Sequence, residues 1–223
     1  MKRTKTMISI AFAAFVLLAL VVNQISAGSY NRTGAVNYAN TWAHGRNGSY
    51  PNYGSGCGCN DCTNYISQVL HNGGYPLRTG NWNQNSIYEW WYRKVLWWYE
   101  NSKTWSAADW LNMYVAQYQA TEFEYRSWPT QLQSGDFFLI DLRNNENPSG
   151  PPDGKPDHGR VIVGYGYTST NQADYTDGCG TNYPVPSQTY TLLINQHCVD
   201  RWHVAWDYRL PGSIGRWSIH VKW

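Results

Sequence analysis

The sequence predicts an α+β domain, with N-terminal helices packed on an antiparallel β-sheet. Three observations predict it. Residues 31–44 carry Ala35, Tyr38, Ala39 and Trp42 at helical spacing, and Tyr65, Ile66, Val69 and Leu70 repeat that pattern. Beyond Gly135-Asp136 the apolar residues fall instead into short runs and alternations. Helices followed by strands is the order of an α+β domain.

The elements follow in order. Residues 1–27 read as a secretory signal peptide: Lys2, Arg3 and Lys5, an apolar stretch from Met7 to Val22, then Ser26-Ala27 before the cleavage point. The apolar stretch is shorter than the ~20 residues a membrane span prefers. Residues 28–223 form one domain of ordinary size. Gly45 to Gly58 is a loop rich in Gly, Asn, Ser and Tyr. Asn60-Asp61 offers N-cap residues for a helix starting at Cys62, and Gly73-Gly74 ends that helix. Two further helices are expected between Ser86 and Gln119. Phe137-Phe138-Leu139-Ile140 is a buried strand, Val161-Ile162-Val163 begins a second, and Thr189 to His197 gives a third. From Arg216, Trp217, Ile219 and Val221 alternate with Ser218, His220 and Lys222 in a closing strand.

Composition excludes some partners. Charged residues make up 14% of the chain and the formal net charge is +2, with no basic stripe of the kind that binds nucleic acid. No membrane contact is expected after signal cleavage, no cofactor is called for, and the mature protein is expected to be a monomer. With 13 Trp and 18 Tyr, the chain has enough aromatic surface for both a core and a ligand platform, and the run Tyr88 to Tyr99 is too dense to lie on one buried helix face.

The five cysteines, Cys57, Cys59, Cys62, Cys179 and Cys198, leave one unpaired if the rest form disulfides in an exported chain. Cys62 stands where the dipole and unpaired N–H groups of a helix start favour a thiolate. His158, at the mouth of the strand through Val161, is the best-placed base. His197 ends the next strand with Asn195 on the same face, and either could orient the His158 ring; Asp200 is a further candidate. A structural zinc site through Cys57-x-Cys59-x-x-Cys62, with Cys179 or Cys198, is the competing use of the same residues.

The residues from Asp61 through Cys62-Thr63-Asn64-Tyr65-Ile66-Ser67-Gln68 to Gly73-Gly74 carry a resemblance. With Tyr30-Asn31-Arg32, Ala35 to Ala39, Gly135-Asp136, Asp157-His158 before Val161, and His197-Cys198-Val199-Asp200-Arg201, they resemble, in matching order, a secreted bacterial amidase domain. That domain belongs to the papain-like cysteine hydrolases, near the CHAP and NlpC/P60 groups. The resemblance implies a cysteine amidase or peptidase acting on peptide or peptidoglycan-type substrates outside the cell. Cys62 would be the nucleophile, His158 the general base and acid, and His197 the third polar member, with Asp61, Asn195 and Asp200 in support. Cys57, Cys59, Cys179 and Cys198 would then form two disulfides. The acidic turn from Asp153 to Asp157 hints at calcium, but its ligand pattern is incomplete, and no metal site is expected. A non-catalytic glycan- or peptide-binding module on the same fold is the alternative.

Overall fold

A computed structural model describes residues 29–54, 60–142, 152–170, 175–176, 182–183, 187–207 and 215–223. The signal-peptide reading therefore lies outside the described residues, as do Cys57, Cys59 and Cys179.

The Asn31 side chain accepts a hydrogen bond from the Gly34 N–H at 2.9 Å and so starts α1, Arg32–Trp42. This N-cap satisfies a donor that the first helical turn would otherwise leave unpaired. Helix α1 buries Ala35, Tyr38 and Ala39, the stripe that the spacing predicts. Helix α2, Cys62–Asn72, is buried from Cys62 through Leu70 and forms the centre of the domain. It ends at Gly73, and Gly74 at φ 89° lets the chain turn so that the Tyr75 N–H reaches the Leu70 carbonyl at 3.0 Å.

The two helices expected between Ser86 and Gln119 are present as α3 (Lys103–Ser106) and α4 (Ala108–Gln117). Before them stands a hairpin that was not expected, β1 (Tyr92–Val95) and β2 (Trp98–Asn101). Alternation explains the hairpin. Arg93 pairs with Glu100 across the hairpin, while the aromatic run divides between inside and outside. Trp90 and Trp91 are fully buried with Trp105, whereas Trp97 at the turn is 81% exposed.

The main sheet contains β3 (Phe123–Arg126), β4 (Phe137–Ile140), β5 (His158–Tyr167), β8 (Tyr190–Gln196), β9 (Arg201–Ala205) and β10 (Arg216–Val221). Between β5 and β8, β6 (Tyr175–Thr176) and β7 (Asn182–Tyr183) pair only with each other. The main sheet is antiparallel, in the order β3-β10-β4-β5-β8-β9. Strands β3 and β9 were not expected from the sequence; the other four were.

One sheet face, with Phe137, Leu139, Val161, Ile219 and Val221, packs on Tyr65, Ile66, Val69 and Leu70 of α2. The opposite face gathers Leu132, Phe138, Ile140, Ile162, Leu192, Ile194 and Val204 into a second cluster. Gly159 permits the close approach of α2 to β5, because a Cβ there would lie 2.4 Å from Ile66 Cδ1. Asp136, fully buried, locks α1 to the sheet. It pairs with Arg32 at 2.7 Å and His220 at 2.8 Å, and accepts the N–H groups of Gln133 and Val221. Among the described residues, no helix is long and apolar enough to cross a membrane.

Candidate active site

The polar residues after Cys62 secure α2 from within. Asn64 donates to the Pro51 carbonyl and the Asp61 carboxylate, each at 2.7 Å, and accepts from Trp105 Nε1 at 2.7 Å. Ser67 donates to the Trp105 carbonyl and accepts from Trp90 Nε1, and Gln68 accepts from the Tyr38 hydroxyl. Each buried polar group is thereby satisfied, as a low-dielectric interior requires. The orientation of the first turn of α2 follows from these bonds.

Asp61 behaves differently from the expected N-cap. Its backbone is helical, at φ −94° and ψ −6°, and its side chain makes no capping bond to α2. The fully buried carboxylate instead meets Arg46 Nε at 2.7 Å, His197 Nδ1 at 2.6 Å and the Tyr53 N–H at 3.2 Å. Long-range partners have won over the local bond. The start of α2 is left without a side-chain cap.

Cys62 is a free thiol and only 5% exposed. Its sulfur lies 3.8 Å from the Thr63 hydroxyl and donates to the Asp157 carbonyl at 4.0 Å, while the Gly159 N–H also reaches it. The two peptide groups that touch the sulfur therefore flank His158. Burial pushes the thiol upward; hydrogen bonds from the Thr63 side chain and from the Gly159 and Thr63 backbone pull it down, and the Asp61 charge adds to the rise. Burial wins. The net shift is upward, opposite to the direction in which a helix start acts on a thiol.

His158, half-buried, is the first residue of β5 and lies opposite Ile140. Cys62 makes hydrogen bonds with Thr63 and with the backbone on either side of His158. His197 is 1% exposed, and both of its ring nitrogens are committed, Nδ1 to Asp61 and Nε2 to the Trp42 carbonyl at 2.7 Å. Its ring stacks on Tyr65 with centroids 3.9 Å apart. The structure thus brings His197 to Asp61. Asn195 donates to Asn40 Oδ1 at 2.9 Å and accepts the His203 N–H at 2.8 Å, joining α1 to β9. Asp200 receives two bonds from Arg46, at 2.8 and 2.9 Å, and the Cys198 N–H at 3.1 Å. Cys198 is disulfide-bonded, and its sulfur accepts the Asp61 N–H at 3.2 Å.

A cleft of about 380 Å³ opens beside the sulfur, lined by Tyr53, Asn60, Cys62, Thr63, Ser106, Ala107, Ala108 and Asp157. The dense aromatic run contributes nothing to this lining; its only aromatic among the described residues is Tyr53, whose hydroxyl donates to Asn101. Sequence reasoning missed Arg46, Tyr53 and the Ser106–Ala108 wall. Tyr53 stands in a loop of similar residues and Arg46 in no motif, so neither carries a local signal. In the acidic turn, Asp141 accepts the N–H groups of Asp153 and Gly154, and Asp157 accepts that of Leu142. Those carboxylates organise the chain entering β5.

The family described as "Putative amidase domain" matches residues 29–221, nearly all of the described chain. The chain belongs to this amidase domain family. It is also 33% identical over 138 residues to the uncharacterized protein YhbB of Bacillus subtilis (strain 168). That stretch is 61% of this chain and 38% of the relative, so the chain spans well under half of the relative's length. No solved structure matches this chain.

Proposed function

We propose that this amidase domain is an exported, papain-like cysteine hydrolase that cleaves amide bonds, with peptidoglycan-type peptides as its substrate class. One observation carries the reading. The free Cys62 thiol borders a cleft, and its sulfur rests against the two peptide groups on either side of His158.

The chemistry runs from a neutral resting state. As the substrate carbonyl enters the cleft, His158 removes the Cys62 proton while the sulfur forms a bond to the carbonyl carbon. The carbonyl π electrons move to oxygen, where the uncapped first turn of α2 favours negative charge. When the tetrahedral intermediate collapses, the C–N bond breaks and His158 returns the proton to the departing amine. Water, deprotonated by His158, then attacks the thioester; the acid is released and the proton returns to sulfur. His158 is the first residue of β5, and the Gly159 N–H that follows it reaches the sulfur. Catalytic hydrogen bonds in ligand-free enzymes are often long and tighten when substrate binds. The family membership supports amide hydrolysis, and the basic and apolar N-terminus supports export.

The test is turnover of peptidoglycan peptide fragments by wild type, Cys62→Ala and His158→Ala. Both variants should lose at least about a hundredfold in kcat, the scale of a general acid–base contribution. Equal turnover by wild type and Cys62→Ala removes the cysteine mechanism. The burial of Cys62 gives the binding-module reading its one specific support: a peptide bound tightly and released uncleaved by wild type would favour that reading.

A further inference from the structure

Behind the nucleophile, two acidic and two basic side chains interlock. Arg46 places Nε on Asp61 and its two terminal nitrogens on Asp200, at 2.7, 2.8 and 2.9 Å, and also donates to the Gly54 carbonyl. His197 closes the network on the same Asp61 oxygen, Oδ2, that Arg46 holds. Arg46 thus joins three segments: the loop carrying Tyr53, the residue before Cys62, and the turn after β8. Its side chain is 14% exposed, so this charge is screened by the protein more than by water. We infer that Arg46 is a positioning residue for Cys62, holding Asp61 in place and balancing its charge so that the adjacent thiol can ionise during the reaction. This inference rests on Cys62 being the nucleophile.

The physical reason is the neighbouring carboxylate. A buried negative charge one residue from a thiol opposes formation of the thiolate. With Arg46 present, the two carboxylates face a guanidinium and a histidine whose Nδ1 and Nε2 both point at acceptors. Without it, the guanidinium is lost to both carboxylates, while Asp61 keeps His197, Asn64 and the Tyr53 N–H, and Asp200 keeps the Cys198 N–H. Other ionisable groups close to the sulfur include Tyr53 and Asp157, which line the cleft, and His158, whose flanking peptide groups touch the sulfur; the elements around them also carry Tyr65, His71, Lys103, Asp109, Tyr114 and Arg160. None of these changes in the variants below.

The experiment is the pH dependence of Cys62 alkylation by iodoacetamide in the full folded chain, with its disulfides kept oxidised. Arg46→Gln should move the inflection upward and slow alkylation at fixed neutral pH by about 3–10-fold, the effect of half to one pKa unit on thiolate fraction. Asp61→Asn should move it the opposite way, and Arg46→Gln with Asp61→Asn should return it close to wild type. Arg46→Lys should keep most of the wild-type profile, since the charge remains while the fork is lost. If Arg46→Gln does not fold, Asp61→Asn reads the same charge alone: unchanged alkylation there overturns the inference. So does a double variant as slow as Arg46→Gln. Because the readout is thiol chemistry, a shifted profile combined with full turnover by Cys62→Ala would retain the charge coupling and discard the catalytic reading.

Discussion

The Asp61 carboxylate meets His197 Nδ1 at 2.6 Å, in a pocket where both side chains are almost completely excluded from water. Because Nε2 of the same ring lies 2.7 Å from the Trp42 carbonyl, the imidazole bridges α1 to the residue before Cys62. A carbonyl accepts only, so Nε2 is the ring nitrogen that donates to Trp42, while Nδ1 faces the carboxylate. His197 therefore supports the nucleophile from behind.

Replacing His197 leaves a buried carboxylate with one partner fewer. His197→Ala should cost about 3–5 kcal/mol, the scale for breaking a buried charged pair from one side. Urea unfolding of the two proteins measures it. A cost below 1 kcal/mol would mean that the bridge contributes little.

Asp136 makes a comparable prediction at the other end of the sheet. Asp136→Ala strands Arg32, His220 and two backbone N–H groups, and should destabilise by at least about 3 kcal/mol. Asp136→Asn retains an acceptor oxygen and should cost less. The order of the two melting temperatures decides the point.

Gly159→Ala forces a Cβ into the space of Ile66 Cδ1 and should cost about 1–3 kcal/mol by overpacking. Adding Ile66→Val removes the methyl in the way and should recover part of that loss. A double variant no more stable than Gly159→Ala would place the constraint elsewhere, for instance on Leu139 at 3.1 Å.

The raised Cys62 thiol makes stability depend on pH with a definite sign. The folded protein holds the thiol proton more tightly than the unfolded chain, so below the ordinary thiol value of ~8.5 the contribution is fully present. It is lost as pH rises from that value through the folded one. Relative to Cys62→Ser, wild type should therefore lose stability between neutral and alkaline pH. A difference that stays flat or grows with pH would contradict the burial of the thiol.

Much of this fold was legible because its signals are local. Asn31 before an apolar stripe, Gly73-Gly74 after another, and the alternation from Trp217 to Val221 each specify an element within a few residues. The β1–β2 hairpin was hidden by aromatic residues that pack equally well in either kind of element. Cys62 could be found, since it opens a helix after Asn60-Asp61. The function of Asp61 could not. Its partners include Arg46 and His197, which only the folded chain brings together, and they displaced the capping role that its position suggests. His197 has the spacing of a third catalytic member, yet the side-chain direction that assigns it to Asp61 is a property of packing.

The most direct measurement of the central claim is intact-mass spectrometry during turnover of a slowly deacylated activated ester of a cell-wall peptide. The account predicts one acyl adduct, located at Cys62 by digestion, which forms and decays at the turnover rate and is absent from Cys62→Ala. Hydrolysis by wild type with no adduct at that sulfur, continuing undiminished in Cys62→Ala, would contradict it.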